Sequence, residues 1–197
     1  MSRFILLTHP EVRIDPDIPV PDWPLSPHGA ARMRAALQRP WVSGLRHIAS
    51  SGERKAREAA AILATHLGLP VSVHEGLGEN DRSSTGFLPK AKFEATASQF
   101  FARPTESVRG WERAVDAQAR MVATVERVQA ESRPEGDTVI VAHGAVGALL
   151  LCHLAQRPIG RDADQPGEEG GNLFAFERTS RRLLTGWQRM EEAVLPG

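Results

Sequence analysis

Two apolar runs far apart in the chain end in the same way. "FILLTHP" (4–10) and "TVIVAHG" (138–144) each place a histidine after the last apolar residue and a backbone breaker, Pro10 or Gly144, after the histidine. A short apolar run bounded by such a residue is the pattern of a buried strand. Between and around these runs, strand-like and helix-like segments alternate. "GLRHIAS" (44–50) and "PVSVHE" (70–75) read as further strands. "HGAARMRAAL", 52–68, 90–102, 109–131 and "AVGALLLCHLA" (145–155) read as helices. Ser26-Pro27 gives the first helix an N-cap followed by proline. Ser50-Ser51 is expected to cap the second, and Gly68 to end it. Residues 173–176 and 183–187 read as a closing hairpin around a polar turn. This alternation predicts an α/β fold, a three-layer sandwich with a mostly parallel central sheet and helices on both faces. At 197 residues it is expected to be one domain over 1–197.

Composition narrows the function classes. The formal net charge is zero, which argues against a general nucleic-acid binder, because phosphate backbones select a basic face. The single cysteine, Cys152, lies inside the apolar run "ALLLCHL" and reads as a buried structural thiol. No apolar segment has the length of a membrane span or a signal peptide, so a cytoplasmic protein is expected. Four tryptophans and no tyrosine leave room for a surface contact through Trp41 or Trp111, and the expected state is monomer or homodimer.

The chemistry is expected at the histidines. In parallel sheets, ligands bind at the carboxyl ends of the strands, where His9 and His143 both fall. A neutral imidazole is a nucleophile near neutral pH, and a second one can donate hydrogen bonds to oxygens that gain charge. The helix beginning at Ala145 would add N–H groups that favour an anion. "SSGERKAR" (50–57) supplies cations at another helix start, where they oppose the helix dipole; a solvated basic face with Arg57 is the plainer reading of Arg54 and Lys55. Glu79 and Asp81, in the irregular loop 76–89, are candidate proton donors.

These pieces, in this order, resemble the histidine phosphatase superfamily, the phosphoglycerate mutase-like family. The family's opening Arg-His-Gly-Glu-Thr lies over Thr8-His9-Pro10-Glu11-Val12, and its Leu-Ser-x-x-Gly helix start over Leu25–Gly29. Its second helix lies over "SSGERKAREAA", which puts the family's arginine on Lys55, next to Arg54. Leu77 and Glu79 match the acid loop, and Ala142-His143-Gly144 the last strand. The resemblance implies that His9 takes a phosphoryl group and Glu79 protonates the leaving oxygen. His143, with Thr8, Arg54, Lys55 and Arg82 as phosphate-binding candidates, would hold the phosphoryl oxygens. It implies no metal and no cofactor. The substrate would be a small phosphorylated metabolite or a phosphoprotein, hydrolysed as a phosphomonoester, with no nucleic acid or membrane involved. Three letters depart from the family: Thr8 replaces a cation, Pro10 replaces a glycine, and Asp15 stands where asparagine is frequent. Arg54, Lys55 or Arg82, and less readily Arg13, would have to replace the lost charge. The alternative is a family member with weakened catalysis that binds an anion or a protein.

Overall fold

The computed structural model describes residues 2–196. Its elements follow the alternation expected from the sequence: β1 (Arg3–Thr8), α1 (Pro27–Ala36), α2 (Pro40–Ser43), β2 (Leu45–Ser50), α3 (Arg54–Leu67), β3 (Val71–Val73), α4 (Lys90–Ala102), α5 (Ala114–Glu131), β4 (Asp137–Ala142), α6 (Gly144–Leu154), β5 (Asn172–Glu177) and β6 (Gln188–Arg189). They build one six-stranded sheet in the order β3-β2-β4-β1-β5-β6. The first four strands in that order run parallel, and β5 and β6 are antiparallel to their neighbours.

Strand alternation divides the core into two layers. Phe4, Leu6, Ile140, Ala142, Phe174 and Phe176 point to one face, under α4, α5 and α6. Ile5, Leu7, Val139, Val141, Leu173 and Ala175 point to the other, under α1, α2 and α3. Both faces of the central strands are therefore apolar, which is why these strands read as continuous apolar runs. Cys152 is fully buried, as its apolar neighbours suggested.

Several expectations are corrected. Trp41 and Trp111 are core residues at 2% exposure, so neither offers a surface contact. α5 begins at Ala114 rather than 109, after a turn in which Arg109 has a positive φ of 55°. The return arm of the closing hairpin is irregular: 183–187 makes one bridge, Leu183 to Phe176, and strand pairing resumes only at β6. Neither Ser50 nor Ser51 caps α3, whose N-cap position is Glu53. At the other end Gly68 adopts the left-handed φ of 66° and closes the helix as expected. No described helix is long and apolar enough to cross a membrane.

Candidate active site

The register of the sheet brings the two histidines together. β1 and β4 are parallel neighbours, and Thr8 is paired with Ala142. His9 and His143 are the next residues on each strand, so both leave the sheet at its carboxyl edge. The His9 N–H still donates to the Ala142 carbonyl at 3.0 Å, and the two rings meet edge to face with centroids 5.1 Å apart. His9 is partly exposed, whereas His143 is fully buried.

His9 Nδ1 lies 2.9 Å from the Pro10 carbonyl oxygen. That oxygen can only accept, so Nδ1 carries the proton and Nε2 keeps its lone pair. Burial, and then the Lys55 charge, lower the His9 pKa to about 4. The imidazole is therefore neutral at physiological pH. His143 Nε2 is 2.7 Å from Ser51 Oγ and 3.4 Å from Glu53 Oε1, and its Nδ1 is buried without a partner among the described residues. Burial keeps His143 neutral as well, against the pull of Glu53.

Of the candidate cations, the structure brings in one and leaves another out. Arg54 is about half exposed and pairs with Glu58 one turn on. With Arg13 it lines an open groove that includes neither histidine. Lys55 points inward and is 3% exposed. Its ammonium donates to the Val20 carbonyl at 2.8 Å and to the Glu53 carboxylate. Burial pushes Glu53 up, but the Lys55 ammonium, by charge and hydrogen bond, and the Glu79 N–H at 2.8 Å outweigh it and hold the carboxyl below its ordinary value. Glu53 is thus ionised and balances the lysine. Arg82 lies over the Phe93 ring, 5.0 Å from its centroid, and its charge reaches His9, His143 and Glu79.

Glu79 stands at the start of α6. Its Oε2 accepts from Ala145 N–H at 3.2 Å and its Oε1 from Val146 N–H at 3.1 Å. The anion-binding helix start expected at Ala145 is therefore taken up by a protein carboxylate. Burial raises the Glu79 pKa, with Arg82 opposing. Arg120 fixes the loop behind it by donating to the carbonyls of Gly76, Gly78 and Glu79 at 2.9, 3.0 and 3.2 Å. Asp81 is exposed, and its carboxylate accepts from Ser83 N–H at 2.8 Å. That bond lowers its pKa, which leaves Glu79 as the better proton donor. For a metal, Glu11, His28 and Glu169 are the one trio with ligand atoms within 4.8 Å of each other among the described residues. His28 and Glu169 are exposed, and the trio includes neither histidine of the pair nor Glu79.

A family model, that of the histidine phosphatase superfamily (branch 1), matches residues 9–171. The chain belongs to this superfamily. No curated protein sequence matches it. Among solved structures, the mycobacterial glucosyl-3-phosphoglycerate phosphatase with inorganic phosphate superposes with a TM-score of 0.79 and 24% identity, over 98% of this chain and 100% of that one. The same phosphatase in complex with VO3 gives 0.74 and 25%, over 90% and 93%. A candidate alpha-ribazole-5'-P phosphatase from Escherichia coli gives 0.75 and 16%, over 98% and 100%. Family membership and these neighbours support a phosphatase function.

Set against the superfamily pattern, Thr8 is the departure that the structure explains best. It is 1% exposed, and its hydroxyl is already engaged. It accepts from Asn172 N–H at 3.0 Å and donates to Gln165 Oε1 at 2.7 Å. Four residues of this neighbourhood, Ser51, Glu53, Gln165 and Asn172, were not predicted as site residues. Ser51 and Glu53 lay inside the matched helix motif. Gln165 belongs to a polar loop with no periodic signal, and Asn172 is the polar first residue of β5.

Proposed function

We propose that the protein is a metal-independent phosphatase that hydrolyses a phosphomonoester through a phosphohistidine on His9. The observation that carries this reading is the state of His9: neutral, partly exposed, with Nδ1 held by Pro10 and Nε2 free, beside His143 at the sheet edge. Nε2 attacks phosphorus as the ester P–O bond breaks, and Glu79 gives its proton to the departing oxygen. Water then attacks the phosphohistidine, the P–N bond breaks, and Glu79 takes a proton from that water. Phosphate leaves and His9 is restored. His143, Lys55 and Arg82 stabilise the charge on the nonbridging oxygens. The names of two structural neighbours contain small phosphorylated molecules, which supports a small phosphorylated metabolite as substrate. Hydrolysis of p-nitrophenyl phosphate in the presence of a chelator tests the reading. The native protein should turn over, and His9→Ala should lose at least about a thousandfold in kcat/KM. Loss of all activity in the native protein, or full activity in His9→Ala, contradicts it.

One observation favours a second reading, an anion- or protein-binding module with weakened catalysis. Lys55 is balanced by Glu53, and the α6 N-terminus is filled by Glu79, so the pocket offers a phosphate less positive charge than the family pattern implies. Phosphate binding without turnover would decide for it.

A further inference from the structure

We propose that Gln165 is a substrate-binding residue, whose side-chain amide donates to a phosphoryl oxygen from the side where the family pattern has the arginine that Thr8 replaces. The proposal takes its substrate from the phosphatase reading above, but it stands on a separate set of contacts.

The orientation of the amide is forced by its neighbours. Asn172 Nδ2 lies 3.0 Å from the Pro166 carbonyl, which can only accept, so that atom is the amide nitrogen. The same nitrogen is 3.1 Å from Gln165 Oε1. Thr8 accepts from the Asn172 backbone N–H, and its own proton has two acceptors in reach, Gln165 Oε1 at 2.7 Å and the Asn172 carbonyl at 3.2 Å, of which the glutamine oxygen is the nearer. The Asn172 NH2 requires the facing atom of Gln165 to be the oxygen, since two NH2 groups cannot hydrogen-bond each other through their protons, and the shorter Thr8 contact agrees with that orientation. The other terminal atom of Gln165, Nε2, is the NH2 group, and it donates to no group among the described residues.

The position of that NH2 is equally defined. A Cβ placed on Gly144 would fall 2.5 Å from Gln165 Nε2, so the amide lies against the residue that follows His143. At its oxygen end it is held by the residue that precedes His9. Gln165 therefore spans the two chain segments that carry the histidines. Glycine at 144 makes the approach possible. The loop beneath is anchored on both sides: Trp187 Nε1 donates to the Ala163 carbonyl at 2.8 Å, and Arg32 reaches the carbonyls of Glu169 and Gly170. A donor held in this way needs no reorganisation when charge develops nearby. It differs from a guanidinium in being neutral and in offering fewer donors.

The test is inorganic phosphate affinity by calorimetry together with kcat and KM on p-nitrophenyl phosphate. Gln165→Glu is the informative variant. It keeps an acceptor for Thr8 and Asn172 and exchanges only the outward NH2 for a carboxylate oxygen. It should weaken phosphate binding by about tenfold or more, the scale of one hydrogen bond to a charged group, and lower kcat/KM by at least as much. Gln165→Met, with no donor, should fall between it and wild type. Thr8→Val should weaken binding by releasing Gln165, and Thr8→Ser should recover most of that loss; a purely structural role for the hydroxyl would move melting temperature without this recovery in affinity. Unchanged phosphate affinity in folded Gln165→Glu overturns the proposal, as does a wild-type protein that binds no phosphate. Wild-type protein that binds phosphate through Gln165 but does not turn over overturns the phosphatase reading alone and leaves Gln165 as an anion donor.

Discussion

At the scale of single residues, the pocket is governed by how its charges are balanced. Lys55 is buried, and its ammonium is shared between Glu53 and a carbonyl. Removing the carboxylate leaves a buried cation unpaired, which destabilises by about 3–5 kcal/mol in comparable pairs. The same change frees Lys55 for a ligand. Glu53→Gln should therefore lower the melting temperature and tighten phosphate binding, as read by thermal denaturation and calorimetry; weaker binding would show that Glu53 does not restrain Lys55. The catalytic pH profile follows from two groups. His9 is nucleophilic when neutral, above about 4, and Glu79 donates while protonated, a state that burial extends above the ordinary carboxylate value. The plot of log kcat/KM should rise through about pH 4 and fall on an alkaline limb set by Glu79. Glu79→Gln should lower the rate and remove that limb. His9, His143 and Glu79 stood out in the sequence because each sits at a strand end or in an irregular loop. The role of Pro10 did not, since its carbonyl acts on His9 only once the turn is formed. Glu53 was hidden because a carboxylate beside two basic residues reads as an exposed charge cluster until burial is known.

At the scale of elements, the segments with strong periodic signals were the most legible. All of the strands expected before the closing hairpin, and the helices over α1, α3, α4 and α6, lie within a few residues of their expected positions. Short or aperiodic pieces were not: α2 is a single turn, and the arm after β5 makes one bridge before β6. The family-matched residues Glu11, Ser26, Gly29 and Glu58 form a framework rather than a reacting group. Ser26 caps α1 by accepting from Gly29 N–H at 2.9 Å and donates to Glu11. Glu58 accepts from Leu25 N–H at 2.8 Å, which ties α3 to the start of α1. A Cβ on Gly29 would lie 2.2 Å from the Glu11 carbonyl oxygen, a backbone atom that cannot move without the loop after His9. Gly29→Ala should destabilise by about 1–3 kcal/mol, the range for forced overpacking, as measured by urea denaturation. No loss of stability would mean that this loop is not held where the structure puts it.

At the scale of the whole molecule, the fold places a titrating pair of imidazoles inside the sheet edge, and stability inherits their pH dependence. His9 takes a proton near 6.5 in the unfolded chain but only near 4 in the folded one. Between these values the unfolded state binds more protons, so stability falls as pH drops through this window, by about 1.4 kcal/mol per unit at most from this group. Glu53, with its lowered pKa, adds a loss below its unfolded value, and Glu79, with its raised pKa, opposes it. Urea denaturation from pH 7 to 5 should show wild type losing more stability than His9→Ala. Equal slopes would mean that His9 titrates alike in both states. The layer order and the sheet edge that carries the site followed from the alternation of strands and helices. The balance of charge within the pocket did not, because it depends on which side chains the sheet register turns inward. Transfer of the phosphoryl group to His9 is tested by quenching the reaction during turnover and locating phosphate by mass spectrometry under alkaline conditions. One acid-labile phosphoryl group on His9, absent in His9→Ala, is the predicted result; turnover with no phosphate on His9 would contradict it.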